Sequence, residues 1–299
     1  MNIKPLTTFC LVADLGSLSR AAAAAGIAQS LVSRHIAQLE AQWGDRLFVR
    51  TGRGMALSDF GRRIQPEIRS VLAQFSHLET VVSESAGVVS GTVHVGVLPS
   101  MSRQLLPLLF SDLRVRAPAV RLHINEGFSG ELDEHMSSGK LDMAVVNRYG
   151  SSVARGEDVL GTVETYLVGK PGLPLLSGGK VLFKQLAELP LVLPAIPNGL
   201  RSTLDQLSRR HGVQLDIVME VDTSTAMKDV ALSGHAFTLL PSMAVSQELL
   251  AGSLAAVPVV NPGIKRTIAL SLTTQRPLSK AARLVAARVR HLATNLLAM

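Results

Sequence analysis

Leu6, Phe9, Cys10 and Ala13 recur at i, i+3, i+4 and i+7, the one-sided apolar spacing of an amphipathic helix, and Gly16 follows as its stop. Ser17 then stands as the N-cap of a short alanine-rich helix, Leu18 to Ala25, which Gly26 lets the chain leave by a tight turn. From Ala28 to about Trp43, Val32, Ile36, Leu39 and Trp43 fall on one face of a third helix, and Gln29, Ser30, Ser33 and Arg34 on another. The apolar face suits packing against neighbouring helices. Short polar and forked side chains are the kind that reach base edges and phosphates from a helix in the major groove. Two helices on a glycine turn, the second with such a face, predict a helix-turn-helix. Two short apolar runs, Leu47 to Val49 and Met55 to Leu57, flank Arg50-Thr51-Gly52-Arg53-Gly54 and predict a β-hairpin wing. Arg50 and Arg53 would give that wing salt-sensitive phosphate contacts, and an ordinary charged hairpin is the alternative.

Ser58 can cap a further helix, along which Ile64, Ile68, Val71, Phe75, Leu78 and Val82 alternate spacings of four and three. Such a narrow seam is satisfied by a partner helix better than by a globular core, so it predicts a coiled-coil linker and a dimer. A surface helix on the following domain is the alternative. Pro66 either kinks this helix or marks its start.

Beyond Gly91 the pattern becomes alternating strand and helix: strands at 92–97, 120–126 and 141–146, with helices at 105–113 and 130–138 between them. This βαβαβ order requires a parallel sheet with covering helices. A second run follows, with strands at 165–168, 191–193, 215–220 and 237–240, and helices near 183–187 and at 200–211 and 224–232. A strand at 268–272 and a helix at 279–297 close the pattern.

Charge sharpens this division. The chain of 299 residues carries a formal net charge of +7, and residues 1–63 hold eight basic against four acidic side chains. That local excess favours a polyanionic partner for the first domain. The basic run Lys265, Arg266, Arg276, Lys280, Arg283, Arg288 and Arg290 reads as the solvated face of the last helix. Cys10 is the only cysteine, which excludes an intrachain disulfide and a cysteine-based zinc site and points to a reducing compartment. The N-terminus lacks a signal-peptide apolar stretch, and no run of about 18 apolar residues is present. A cytoplasmic protein without membrane insertion is expected.

The stretch from Gly16-Ser17-Leu18-Ser19-Arg20-Ala21-Ala22 through Gln29-Ser30-Leu31-Val32-Ser33-Arg34-His35-Ile36 to Leu47-Phe48-Val49-Arg50-Thr51-Gly52-Arg53-Gly54 resembles the LysR-type transcriptional regulators. Through Arg50-Thr51 with Arg53-Gly54, and Leu141 to Val145, it is similar to their nitrogen-assimilation-control branch. The resemblance implies that Gln29, Ser30, Ser33 and Arg34 face double-stranded promoter DNA, with Arg50 and Arg53 on the flanking backbone or minor groove. Two departures stand out: Ser30 replaces a proline frequent in the family, and Ala28 replaces a capping Ser or Thr, so the start of the third helix is less sharply fixed.

The resemblance also implies the domain plan. An α-rich winged helix-turn-helix spans 1–58, a coiled-coil linker helix spans 59–89, and an α/β sensor of the type 2 periplasmic-binding-protein kind spans 90–299. The sensor divides into subdomain I (92–163 plus 265–299) and subdomain II (164–264). A small effector would bind between them, beyond the carboxyl ends of strands. The segments that would line this cleft carry Ser100, Met101, Ser102, Phe128, Asn147, Asn198, Leu200, Arg201, Thr223, Ser224 and Pro241. Several are helix starts, whose N–H groups, with serine hydroxyls and Arg201, suit a small carboxylate or other anion. The plainer role of such serines is capping alone. A homodimer or homotetramer and contact with RNA polymerase complete the expected partners, with no cofactor and no metal.

Other functions fit less well. An enzyme would need a catalytic constellation, and the eight histidines show no metal-ligand spacing, nor is there a nucleophile elbow or a phosphate-binding glycine loop. A transporter's solute-binding protein would need a signal peptide and have no use for the basic N-terminal domain. A regulator of the same fold without an effector, controlled by abundance or oligomerisation, stays open, and a closed or mainly apolar cleft would favour it.

Overall fold

In the computed structural model, residues 3–52, 54–84, 89–150, 153–154 and 156–298 are described, and they form two compact units. The first begins with α1 (Lys4–Leu15), closed by Gly16 at φ 62°, and α2 (Leu18–Ala25), opened by the Ser17 hydroxyl, which accepts from the Arg20 amide at 3.4 Å. Next comes α3 (Gln29–Trp43), whose N-cap Ala28 makes no side-chain cap bond. A hairpin follows, β1 (Phe48–Thr51) antiparallel to β2 (Gly54–Leu57). Then α4 (Asp59–Glu84) starts at the Ser58 cap, where the hydroxyl accepts from the Gly61 amide at 2.9 Å. Pro66 lies inside α4 and does not mark its start.

Phe9, Val12, Ala21, Val32, Ile36, Leu39, Leu47 and Phe48 close the core of this unit. Each of the larger side chains, Ala21 excepted, contributes about 1.5–3 kcal/mol on burial, which lets short helices of modest propensity persist. Ile68, 4 % exposed, also belongs to this core, with Ile64 packed against it. This corrects the expected seam. The same period serves an intramolecular partner first, because the opening turns of α4 lie against α1. Val71 and Leu78 are exposed at 37 % and 57 %, Phe75 is half-buried, and the Val82 side chain lies outside the described residues.

The second unit holds two sheets. One runs β4-β3-β5-β13-β6, built from β3 (Gly91–Val97), β4 (Val120–Glu126), β5 (Met143–Tyr149), β6 (Asp158–Glu164) and a late strand, β13 (Lys265–Leu272). The expected parallel βαβαβ is present in β3, β4 and β5, while β13 is antiparallel to both β5 and β6. Val93, Val95, Val97 and Met143 through Val146 are fully buried. Covering helices are α5 (Pro99–Arg116), α6 (Ser129–Ser137) and α10 (Lys280–Ala298). Where the sequence predicts a helix from 105, α5 opens at Pro99, because proline at the first position needs no amide partner. Gly96 is a packing requirement, since a Cβ there would stand 2.8 Å from Leu141 and 2.9 Å from Leu132.

The other sheet runs β10-β9-β11-β7-β12-β8. Its strands are β7 (Tyr166–Gly169), β8 (Val181–Leu182), β9 (Pro190–Leu193), β10 (Asp216–Glu220), β11 (Phe237–Leu240) and β12 (Ala255–Val260), with α7 (Gly199–His211), α8 (Ser224–Leu232) and α9 (Ser246–Leu250). The predicted helix near 183–187 is a 3-10 turn, Phe183–Glu188. Leu191 and Leu193 enter one apolar cluster with Leu204 and Phe237, whereas Val192 enters another with Met227 and Ala231. Both faces are therefore covered, as near-continuous apolar strands require. The two chain crossings between the sheets run side by side, joined by the Thr165 amide donating to Ile264 O at 2.9 Å.

The basic C-terminal run is not a solvated face throughout. Arg266 sits on β13 at 7 % exposure, Arg288 donates to Asp112 at 2.7 Å, and Arg290 pairs with Asp158. Arg288 and Arg290 fasten α10 to α5 and β6, where the acids stand.

Candidate nucleic-acid interface and ligand cavity

Gln29, Ser30, Ser33 and Arg34 are all exposed along α3, and Arg50 is exposed on β1; Arg53 lies outside the described residues. The Ser19 hydroxyl donates to Gln29 Oε1 at 3.0 Å, and among the described residues no acid pairs with Arg34 or Arg50. The wing is held to α3 by Glu40, whose Oε1 accepts from the amides of Leu47 at 2.8 Å and Phe48 at 3.4 Å. A groove of about 580 Å³ runs between α3 and the wing, with Ser33, Arg46 and Arg50 on its walls. Arg46 escaped sequence reasoning because it sits in a turn outside both periodic patterns. The wing also docks by backbone: Met55 N donates to Gly16 O at 2.8 Å, and a Cβ on Gly54 would stand 2.4 Å from that oxygen. Inside this unit the Thr8 hydroxyl meets His35 Nδ1 at 2.8 Å, a buried polar link between α1 and α3. Burial pushes the Cys10 thiol up to about 11, which keeps it protonated and unreactive.

In the second unit a cavity of about 360 Å³ opens where strand ends from both sheets meet helix starts. Of the predicted residues, Ser100, Phe128, Asn147, Asn198, Leu200, Ser224 and Pro241 line it. Four others do not. Met101 is fully buried, the Ser102 hydroxyl donates to Pro99 O at 3.2 Å, and Thr223 Oγ1 accepts from the Ala226 amide as the cap of α8 at 3.4 Å. Arg201 is held by Glu220 at 2.5 Å and Asp205 at 3.2 Å; burial works against its charge, and these acids outweigh it, raising its pKa. Tyr149, Arg266, Glu131, Glu134 and Asp222 line the cavity without having been predicted. Nothing in the local sequence marks Arg266, since only the placement of β13 beside β5 puts it opposite Tyr149.

Elsewhere in this unit several cations are matched by acids. Arg148 reaches Asp133 at 2.8 Å and Glu157 at 2.5 Å, and Lys228 and Arg103 share Glu248 at 2.6 and 3.2 Å. Burial pushes the Glu157 carboxyl up, but the Arg148 hydrogen bonds outweigh it and hold the group below its ordinary value of 4.5. Among the described residues no cluster of three or more His, Cys, Asp or Glu could hold a metal ion, and no helix is long and apolar enough to cross a membrane.

Comparison with known proteins bears on both sites. Residues 3–62 match the model of the bacterial regulatory helix-turn-helix protein, lysR family, and residues 86–294 match the LysR substrate binding domain. The chain is 31% identical over 274 residues to the HTH-type transcriptional regulator BbuR of Bordetella bronchiseptica, covering 91% of this chain and 83% of that protein. It is 26% identical over 286 residues to the nitrogen assimilation regulatory protein nac of Klebsiella aerogenes, covering 95% and 93%. The fold matches a full-length OxyR variant from Pseudomonas aeruginosa with a TM-score of 0.69 at 21% identity, covering 97% and 98%. Full-length CbnR complexed with its target DNA matches with a TM-score of 0.66 at 18% identity, covering 98% and 100%. With a winged helix-turn-helix, a two-sheet ligand-binding unit and both family models matched over most of its length, the chain belongs to the LysR family of transcriptional regulators.

Proposed function

We propose that this regulator reads promoter DNA in the cytoplasm through Gln29, Ser30, Ser33 and Arg34 on α3, while Arg46, Arg50 and Arg53 hold the flanking backbone. The observation that carries this reading is the exposed polar face of α3, whose Arg34 has no acid partner among the described residues. An exposed cation without an internal partner, on a basic domain, is matched to phosphate and to guanine edges. The winged domain spans 1–58, the linker 59–89 and the sensor 90–299. Two copies join through the outward face of α4, at Val71, Phe75 and Leu78, so that paired half-sites are read, as dimers or as dimers of dimers. From that promoter position the regulator meets RNA polymerase, and it acts without catalysis of its own.

The sensor takes a small anionic effector in the cavity lined by Ser100, Phe128, Asn147 and Ser224, and the ligand's unequal affinity for two sensor arrangements changes how DNA is bound. An open cavity with a buried guanidinium supports this reading over a regulator with no effector. Footprinting of sites captured from the genome, at two salt concentrations, is the test. Paired protected half-sites near promoters are expected, and only diffuse, strongly salt-dependent binding would overturn the reading. Leu78→Asp is expected to raise the dissociation constant of the dimer by tenfold or more, read by sedimentation, with the helical content of the protein unchanged.

A further inference from the structure

Arg266 is the anomaly of the sensor. Its side chain lines the cavity at 7 % exposure, and among the described residues it makes one hydrogen bond, from Nη1 to the Tyr149 hydroxyl at 3.3 Å. Nε and Nη2 are buried without a partner among the described residues. A guanidinium is always charged, and burying it with donors unmatched is costly unless something completes the site. Every other buried cation described above has its acid. The acids that share this cavity, Glu131, Glu134 and Asp222, lie on its exposed rim, and Asp222 Oδ1 already accepts from the Ala195 amide at 3.0 Å. Asn147 adds a buried Oδ1 with no donor among the described residues.

We propose that Arg266 is the anchor of the effector, and that the effector is a small aminocarboxylate, a molecule with one carboxylate and one protonated amine. This rests on the reading of the cavity as the effector site and narrows the ligand. Two adjacent N–H groups of one guanidinium form a fork that matches one carboxylate. A second anionic group in the same cavity would face three carboxylates and be repelled, whereas an ammonium would be attracted by them and could donate to Asn147 Oδ1. The volume of about 360 Å³ is at the small end for ligand pockets, so the molecule has the size of a free amino acid or slightly larger. Phe128, Met227 and Leu239 offer apolar surface for its carbon body.

The test is calorimetric titration of the full-length protein with the free amino acids one at a time, 4-aminobutyrate, propionate, succinate and inorganic phosphate. At least one aminocarboxylate is expected to bind, to weaken about 10- to 150-fold in Arg266→Gln, and to weaken again when Glu131→Gln, Glu134→Gln and Asp222→Asn remove the rim charge. Arg266→Met, without ligand, is expected to melt at a higher temperature than the parent, because it removes an unmatched buried charge; a merely structural arginine would give the opposite shift. Preferred binding of succinate, propionate or phosphate would overturn the aminocarboxylate assignment while leaving an effector in the cavity. Undiminished affinity in Arg266→Gln would overturn the anchor. Failure of all these probes to bind would remove both the narrower and the broader reading of the cavity, and footprints of the same preparations report separately on DNA binding.

Discussion

Arg34 and Arg50 of the winged unit and the buried or half-buried cations of the sensor are partnered differently. In the sensor, Arg148, Arg201, Lys228 and Arg288 are each fixed by one or two carboxylates of the same unit. On the winged unit Arg34 and Arg50 stand in solvent with no acid partner among the described residues. The sensor's pairs are cross-links between elements; on the winged unit Arg62 and Arg69 pair with Asp59 and Asp14, and Arg34 and Arg50 lack an acid among the described residues. Arg266 follows the second pattern inside the first environment. Among the described residues Arg34, Arg50 and the Arg266 guanidinium thus share a missing acid partner, although the first two are exposed and the third is buried.

The largest effect that sharpens this contrast is expected from Arg148→Met. The change strands Asp133 and the Glu157 carboxylate, the latter with 5 % of its side chain exposed, and should cost about 3–5 kcal/mol in urea unfolding. A loss below about 1 kcal/mol would mean that the sensor's pairs are not cross-links. The pH dependence gives a second reading of the same pair. Because the folded Glu157 titrates below its ordinary 4.5, its contribution is complete above that value and is lost as pH falls through the lower folded one. The stability gap between parent and Arg148→Met should therefore narrow on acidification below about pH 4.5, and a constant gap would assign the stabilisation to something other than ionisation.

On the winged unit the expected effects move from stability to binding. Arg34→Ala should cost about 1–3 kcal/mol on a captured site and far less on random DNA, with the melting temperature unchanged. Equal losses on both would remove it from base readout. Arg50→Ala is the smallest expected change. It should weaken specific and random DNA alike and lower the slope of log affinity against log salt by about one. If Arg50→Ala instead unfolds the wing, the charge contrast between the two units fails at that position.

How much of this was legible in the sequence follows from the range of the interactions involved. Gly16, Ser17, Gly26 and Ser58 set helix limits by local backbone chemistry, and α1, α2 and the start of α4 fall where those residues place them. The α3 polar face was legible because one helix presents it. The strands β6, β8 and β12 were missed. Pro258 breaks the strand signature of β12, where it pairs with Tyr166, and Gly161 in β6 sits tight against the Leu297 side chain, whose Cβ would be 3.0 Å from an added Cβ. The spacing of Ile64 and Ile68 was correct, but periodicity cannot say whether a seam meets its own chain or another. Arg266 could not be singled out from its basic neighbours, since its burial arises from a strand pairing that joins residues 117 positions apart.

That pairing has a consequence for how the chain comes off the ribosome. β13 lies between β5 and β6, so the sheet that begins at Gly91 has a gap between those two strands until residues 265–272 emerge. The other sheet draws all its strands from Tyr166 to Val260 and can close earlier. Synthesis order and completion order are thus reversed for the two sheets: the one started first must wait, with β5 and β6 edges unpaired, for a strand from near the end. Premature termination before residue 265 would release a chain that holds every strand of the second sheet but cannot complete the sheet that carries Arg266.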